Sequence, residues 1–328
     1  MKITLTGATG FLGAYIAREL VGRGHTVRAL RRPGAVVPSY IESSVWEKIE
    51  WVEGDVLDIP SLEEAMKGAD AVIHSAAMVS FESGGKEKIY LVNREGTANV
   101  VNLALELGVP RMVHISSVAA LGRTAHGDQV NEEKKWVESK LNTHYSRSKQ
   151  QAEMEVWRGM GEGLSAVILN PSTILGFGDW DKSSSAIFKK IYKGFPWYTE
   201  GINGFVDVAD VARAAVLLME SDITEQRFIV SAENWTFKKL FETMAAGFGV
   251  KAPSRLATPF LSALSWRMEG IRCFFTGERP VLTRESARIA QTKTYFQNDK
   301  LLKALPGFSF TPLEESIQKA CVKYRHHY

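Results

Sequence analysis

Tyr145-Ser146-Arg147-Ser148-Lys149 spaces a phenol and an amine four residues apart. On a helix that interval points both side chains from one face. A free tyrosine titrates near pH 10 and exchanges protons poorly near neutrality, whereas a neighbouring ammonium favours the phenolate. Ser117, in the run His114-Ile115-Ser116-Ser117-Val118-Ala119, adds a hydroxyl suited to hydrogen-bonding the oxygen of a reacting group. Together the three form a general acid–base set of the kind that contributes about 10²–10⁴ in rate. A Tyr-x-x-x-Lys pair alone is an ordinary surface feature of helices, so its weight depends on what accompanies it.

The first companion is Gly7-Ala8-Thr9-Gly10-Phe11-Leu12-Gly13. Glycines at this spacing allow a tight turn and close backbone approach, and the N–H groups of a following helix receive a pyrophosphate. Such a motif gains meaning only between a strand and a helix. Here residues 2–6 (KITLT) read as a strand, and residues 11–21 repeat apolar side chains at helical spacing. The second strand, 25–30 (HTVRAL), runs into Arg31-Arg32-Pro33, with no acidic residue at the position of a ribose-binding carboxylate. Arginine instead accommodates a 2′-phosphate through its rigid fork. Two solvated arginines on a loop are the plainer alternative; beside the glycine turn, the pair predicts NADP(H).

These residues require a scaffold, and the chain alternates to supply one. Residues 50–53 (EWVE) read as a third strand, and Ser61 caps a short helix with Glu64 three residues on. Residues 69–75 (ADAVIHS) form a fourth strand, 93–107 a long amphipathic helix and 111–116 (RMVHIS) a fifth strand. Strands alternating with helices imply an α/β fold, a doubly wound parallel sheet of the Rossmann type. The carboxyl ends of its strands border the ligand crevice, so Ser117 faces the cofactor. Further on, 145–160 is helical, 164–170 (LSAVILN) a buried strand, 205–219 helical, 227–231 a strand and 236–248 a helix. Glycines 176, 178, 194, 201 and 204 mark loops, and the stretch 252–283 breaks the alternation. The pattern divides the chain into a cofactor-binding domain, 1–170 with 205–231, and a smaller discontinuous α/β substrate-binding lobe, 171–204 with 232–328.

Composition narrows the partners. Forty Lys+Arg against 37 Asp+Glu leave a net charge of +3, scattered along the chain, which gives no footprint for nucleic acid. Two cysteines, Cys273 and Cys321, exclude a disulfide framework and a paired-cysteine metal site, and no Cys/His cluster points to a metal. The apolar run at the N-terminus is shorter than a signal-peptide core, and nowhere do about 18 apolar residues follow one another. The chain reads as a cytoplasmic soluble protein acting on a small molecule, without integral membrane association.

With these motifs together, the chain resembles the extended short-chain dehydrogenase/reductases, within the NAD-dependent epimerase/dehydratase family. The resemblance rests on Thr6 to Gly13, Asp55-Val56, His74-Ser75-Ala76-Ala77, Asn93-Arg94-Glu95-Gly96-Thr97, Ser116-Ser117, Tyr145 to Lys149 and Asn170-Pro171-Ser172. Phe205-Val206-Asp207-Val208-Ala209-Asp210-Val211-Ala212, Asn298-Asp299-Lys300 and Phe310-Thr311-Pro312-Leu313-Glu314-Glu315 extend it over nearly the whole chain. It implies that Gly7, Thr9, Gly10 and Gly13 line the pyrophosphate, with backbone contacts from Phe11 and Leu12. It places Asp55 and Val56 at the adenine, Arg31 and Arg32 at the 2′-phosphate, and Ala76 and Ala77 at the ribose side. Pro171 and Ser172 lie along the nicotinamide, and Lys149 holds its ribose while tuning Tyr145. Asn93 either positions a water or caps the long helix, and His74 packs beneath the crevice. The implied pocket walls are Met78, Val79, Phe81, Val118, Phe177, Trp180 and Phe205, some of them ordinary core. By the same analogy helices 93–107 and 145–160 pair across a homodimer, although their apolar faces equally fit packing on their own sheet.

The family holds reductases, epimerases and dehydratases, so the fold alone does not choose the reaction. Dehydratases carry an acidic pair after the active-site serine or threonine; here the stretch is Val118-Ala119-Ala120-Leu121-Gly122. Epimerases usually carry an acid where Arg31 stands. The run from Ser116 to Gly122 and the segment Thr276 to Thr283 look most like the dihydroflavonol-4-reductase and 3β-hydroxysteroid dehydrogenase branch. The resulting expectation is an NADPH-dependent reductase interconverting a ketone or aldehyde and an alcohol on a small apolar or aromatic substrate. An epimerase is the alternative, and a non-catalytic NADPH-binding regulator a third reading.

Overall fold

Short apolar runs alternating with helices build a parallel central sheet. The computed structural model describes residues 1–79, 86–122, 127, 129–139, 141–258 and 290–327. Its strands are β1 (Lys2–Thr6), β2 (Thr26–Arg31), β3 (Ile49–Glu53), β4 (Ala71–His74), β5 (Met112–Ile115), β6 (Gln129–Val130) and β7 (Ala166–Pro171). They continue as β8 (Thr173–Leu175), β9 (Trp197–Tyr198), β10 (Ile202–Asp207), β11 (Gln226–Val230), β12 (Glu233–Thr236), β13 (Arg255–Leu256) and β14 (Tyr295–Phe296). The helices are α1 (Phe11–Gly22), α2 (Ser43–Trp46), α3 (Ile59–Met66), α4 (Lys86–Tyr90), α5 (Gly96–Glu106) and α6 (His144–Gly161). After them come α7 (Ala186–Tyr192), α8 (Val208–Glu220), α9 (Phe237–Phe248), α10 (Asp299–Ala304) and α11 (Leu313–His327).

The central sheet has seven strands in the order β11-β7-β5-β4-β1-β2-β3, all parallel. This is the doubly wound arrangement expected from the sequence. After β3 at one edge the chain returns to place β4 beside β1, and a crevice opens at that switch point. Both sheet faces are covered. Ile3, Leu5, Ile73, Val113 and Leu169 pack towards α1 and α8, while Val72, Met112 and Ile168 pack towards α3, α5 and α6. Burial on two sides explains why β7 is a continuous apolar run rather than an alternating one.

A second sheet, β12-β10-β8, packs with α7, α9 and α11 around an aromatic cluster that includes Phe177, Trp180, Phe188, Phe205, Phe237 and Tyr324. The last helix is docked by carboxylates. Asp210 accepts the Thr311 N–H at 2.6 Å and its hydroxyl at 3.1 Å, and Glu233 accepts the Leu313 N–H at 3.0 Å. Asp207 takes the Ser316 hydroxyl. These bonds satisfy N–H groups that the start of a helix leaves without an intrahelical partner. Among the described residues no helix is long and apolar enough to cross a membrane.

Three local expectations are corrected. Helix α3 starts at Ile59 with Pro60 in its first turn, so Ser61 lies inside it; the Ser61 hydroxyl donates to the Asp58 carbonyl at 3.0 Å. Proline's fixed φ outweighs the serine signal. The long helix begins upstream, at Lys86, and passes through a π-turn at Leu91–Glu95 before α5, so Asn93 is internal and caps nothing. Phe205 belongs to β10; α8 starts at Val208, capped by the Asp207 carboxylate, which accepts the Ala209 N–H at 2.7 Å. The apolar run crosses the strand–helix boundary there, and periodicity does not mark it.

Replacing Asp210 with alanine leaves the Thr311 donors without their acceptor. Hydrogen bonds to a charged group are worth about 1.5–3 kcal/mol each, so the variant should melt several degrees lower and lose its C-terminal helix first to limited proteolysis. A melting temperature equal to wild type would show that these carboxylates do not dock α11.

Candidate active site

The glycine turn is built by backbone contacts that a side chain would block. Gly7 has φ +79°, and a Cβ there would lie 2.7 Å from the Ala76 nitrogen; one on Gly13 would lie 2.0 Å from the Gly7 carbonyl oxygen. The Gly10 N–H closes the turn on that carbonyl at 2.9 Å. Gly10 then stands at the start of α1, and no side chain caps this 12-residue helix. Its first N–H groups are the anion site that a pyrophosphate requires, so the cradle fits a dinucleotide. Thr9 is half-buried, Leu12 joins the core, and the Phe11 ring lies against Gly178, where a Cβ would approach it to 2.7 Å.

A directed hydrogen-bond chain holds the opposite wall. The Thr97 hydroxyl donates to the Asn93 carbonyl at 2.6 Å, so it accepts from Nε2 of His74 at 3.0 Å. Nδ1 of His74 is then the acceptor for the Thr6 hydroxyl at 2.7 Å, and the Thr6 oxygen accepts the Ala76 N–H at 3.3 Å. His74 is therefore neutral with its proton on Nε2, and burial lowers its pKa to about 3. It stacks on His114, 5.3 Å between centroids, whose pKa burial also pushes well below the usual value. Asn93 accepts the Met78 N–H at 2.7 Å and donates to the Met78 carbonyl at 3.0 Å and to the Ser148 hydroxyl at 2.9 Å. It thereby ties the loop after β4 to α6.

Helix α6 delivers Tyr145 and Lys149. Thr143 caps it, accepting the Ser146 N–H at 3.0 Å. The Ser117 hydroxyl lies beside the Tyr145 phenol, and Ser117 accepts the Ala119 N–H at 3.2 Å. Burial raises the Tyr145 pKa, opposed by the nearby Ser117 hydroxyl. This corrects the expectation of a phenol lowered by its neighbouring amine: desolvation dominates. Lys149 is turned to the Ile115 carbonyl, 2.8 Å away, and burial lowers its pKa to about 8 against the opposing charge of Glu153.

Behind these residues lies a polar relay that sequence reasoning missed. Glu153, 3% exposed, accepts the Asn170 amide and faces Arg227 at 3.5 Å. The same amide donates to the Ser117 carbonyl at 3.0 Å, fixing the backbone of the serine. Arg227 donates to the Glu132 and Lys134 carbonyls at 2.8 and 2.7 Å. The available signal was spacing: Glu153 follows Lys149 by four residues, as Lys149 follows Tyr145.

Other expected positions fall as follows. Asp55 accepts the Leu57 N–H at 3.0 Å in a local turn, and the Val56 side chain packs under Gly96. Ala76 and Ala77 line the turn after β4, half-buried and exposed respectively. Pro171 ends β7, and the buried Ser172 hydroxyl has no protein partner among the described residues. Arg31 ends β2 and Arg32 is exposed beyond it. Met78 and Val118 are half-buried and Val79 is exposed, whereas Phe81 lies outside the described residues, as does most of 253–283. Phe177, Trp180 and Phe205 are core. Phe205 is 0% exposed, edge-on to Phe237, so as a pocket wall it is corrected; Phe177 packs on Tyr324 and Tyr40, and Trp180 stacks on Tyr324.

The model of the NAD dependent epimerase/dehydratase family matches residues 3–230. The chain belongs to that family. This epimerase/dehydratase-family chain is similar to a Synechocystis sp. protein named after dihydroflavonol 4-reductase, 28% identical over 98% of this chain and 94% of that one. It is 32% identical to the sterol demethylase protein B of Methylococcus capsulatus, over 79% and 78% of the two chains. The solved structure of gox2253 superposes with a TM-score of 0.82 at 31% identity, covering 99% and 98% of the chains. The UDP-glucose 4-epimerase of Thermus thermophilus shares the fold alone, with a TM-score of 0.76 at 21% identity and full coverage of both chains.

The buried histidines make the family member acid-sensitive. Between pH 6.5 and about 3 the unfolded chain binds a proton that folded His74 refuses, so stability falls as pH drops through that window. The slope reaches at most about 1.4 kcal/mol per pH unit for each histidine. Urea denaturation at pH 7 and pH 5 should show this loss, and His114→Leu should flatten it; equal slopes would contradict a buried neutral His114.

Proposed function

We propose that this protein is an NADPH-dependent reductase that interconverts a carbonyl and an alcohol on a small, apolar or aromatic substrate. The observation that carries the reading is the Ser117 hydroxyl set beside the Tyr145 phenol, with Lys149 one helical turn on, next to an uncapped glycine-turn helix. The nicotinamide, when bound, supplies or takes up the hydride. Ser117 orients the substrate oxygen, and Tyr145 gives it a proton in reduction or removes one in oxidation. The Ser117 hydroxyl favours the phenolate that this exchange passes through, against the burial that opposes it. Lys149 holds the nicotinamide ribose. Gly7, Thr9, Gly10, Phe11, Leu12 and Gly13 receive the pyrophosphate, Asp55 and Val56 border the adenine, and Arg31 and Arg32 take the 2′-phosphate.

Two sequence features support reduction over the family's other reactions. Between Val118 and Gly122 no acid stands ready to protonate a leaving hydroxyl, as dehydration requires. Arginine rather than a carboxylate ends β2, which suits a reductant that enters and leaves rather than one retained through an epimerase cycle. The names of the relatives suggest the first substrates to screen: sterol ketones, flavonoid ketones and aromatic aldehydes. The segments 171–204 and 232–328 form the substrate lobe in this reading.

With an accepted carbonyl, the wild type should consume NADPH stoichiometrically. Tyr145→Phe should lower kcat about 100-fold or more while leaving NADPH affinity within about threefold. Undiminished turnover in that variant would end the reductase reading. A copurified cofactor that does not exchange, with no net consumption, would put epimerase in its place.

A further inference from the structure

The sequence presents Arg31 and Arg32 as an equivalent pair, but their surroundings differ sharply. Arg31 is the last residue of β2, and its backbone is fixed there: the Gly54 N–H donates to the Arg31 carbonyl at 2.9 Å. Its guanidinium carbon lies 5.2 Å from the ring centroid of Trp51. The ladder explains the contact. Ala29 pairs with Trp51 and Arg31 with Glu53, so Trp51 stands one pleat behind Arg31 on the same sheet face. Trp51 is braced in turn by Trp46, 6.0 Å away between ring centroids. Trp46 is almost fully buried and donates its indole N–H to the Pro38 carbonyl at 3.1 Å. Arg32, the next residue, points from the exposed strand end without an aromatic neighbour among the described residues.

A guanidinium held over an indole ring keeps N–H groups for other partners, and the contact removes much of the freedom that binding would otherwise have to freeze. Among the described residues no carboxylate forms an ion pair with Arg31, although Glu53 is its partner in the ladder. We propose that Trp51 is a specificity-determining residue: it holds Arg31 in place to fork a 2′-phosphate on the adenosine ribose. In this arrangement Arg31 carries the discrimination and Arg32 adds only diffuse charge. The inference rests on the NADP(H) reading above, and it assigns a role to a residue that does not itself touch the phosphate.

The test needs no substrate. Calorimetric titration compares 2′,5′-ADP with 5′-AMP, so the ratio of affinities reports the 2′-phosphate alone. Wild type should prefer 2′,5′-ADP, and Arg31→Ala should abolish most of that preference. Arg32→Ala should change the ratio by less than about threefold, the scale of a solvated charge. Trp51→Leu should lower it about 3- to 10-fold, the scale of ordering one long side chain, with 5′-AMP affinity unchanged. Trp51→Phe, which restores an aromatic face, should recover part of the loss.

The outcomes separate the two claims. A wild-type ratio near one overturns the NADP(H) reading and this inference with it. A strong wild-type preference that survives Trp51→Leu, or a variant that loses both ligands equally, overturns the role of Trp51 alone. Should Trp51→Leu fail to fold, Arg31→Lys carries the test, since it keeps the charge but gives up the planar guanidinium over the ring. Its ratio should fall about tenfold, and an unchanged ratio counts against the proposal.

Discussion

The carbonyl oxygen of Gly7 stands 2.0 Å from the point where a side chain on Gly13 would begin, so strand, turn and helix meet there only because that side chain is absent. The place of a Cβ on Gly7 is likewise filled by the backbone of Ser75 and Ala76. Three pieces of main chain are thus in direct contact: the end of β1, the start of α1 and the turn after β4. Everything the crevice does depends on this junction. It aims the uncapped N–H groups of α1 into the switch point, and it fixes the height of the β4 turn above the sheet. Asn93 finishes that job from the other side, through both polar groups of Met78. The π-turn at Leu91–Glu95 puts Asn93 inside the helix with its amide turned to the loop, a local widening of the kind often found at functional sites.

A buried polar layer lies beneath α5 and α6, at the carboxyl ends of the strands. Thr6, His74 and Thr97 form its first part, and Glu153, Asn170 and Arg227 its second. Leaving one such group without a partner costs about 1–3 kcal/mol, more for a charge, so the layer is held by the bonds its members share, with Asn170 Oδ1 the member left without a partner among the described residues. Lys149 and Glu153 sharpen the point. Burial disfavours the charge on each, raising the Glu153 pKa and lowering that of Lys149, while each charge supports the other. The Tyr145–Lys149 face of α6 therefore sits on a compensated pair rather than on an isolated ammonium.

How far the sequence reveals this structure depends on the range of the forces involved. Strands such as KITLT and AVIL are local apolar runs, and their alternation with helices makes the parallel sheet readable. The glycine turn is readable in part for the same reason: Gly10 and Gly13 meet Gly7 within seven residues, although Gly7 itself also meets the distant Ser75–Ala76 backbone. Ser61 misled because a serine cap and a proline first turn compete over two positions. Phe205 misled because an apolar run serves a buried strand and a buried helix equally well. Glu153 was hidden differently: a glutamate inside a polar helix looks solvated, and only Asn170 and Arg227, brought together by β7 and β11, make it part of the site. The relation of Trp51 to Arg31 is of this kind too, since it arises from the register of β2 on β3.

The aromatic residues of the second lobe carry a further lesson about substrate class. Their number suggests a pocket for rings, yet Phe177, Trp180, Phe188, Phe205 and Tyr324 pack on one another. Their arrangement has its own purpose. The Tyr324 hydroxyl donates to the Gly176 carbonyl at 3.1 Å and accepts the Gly178 N–H at 3.0 Å, while Tyr15 of α1 donates to the Phe177 carbonyl at 2.7 Å. The cluster thus clamps the last helix and the 176–178 loop onto the helix whose N-terminus forms the anion site. Rings engaged in this way are unavailable to a substrate. In the proposed reading, selection of an apolar or aromatic compound falls to side chains with exposed surface, such as Met78 and Val118. The lobe's aromatic content is a statement about how it is held to the cofactor helix before it is one about what it binds.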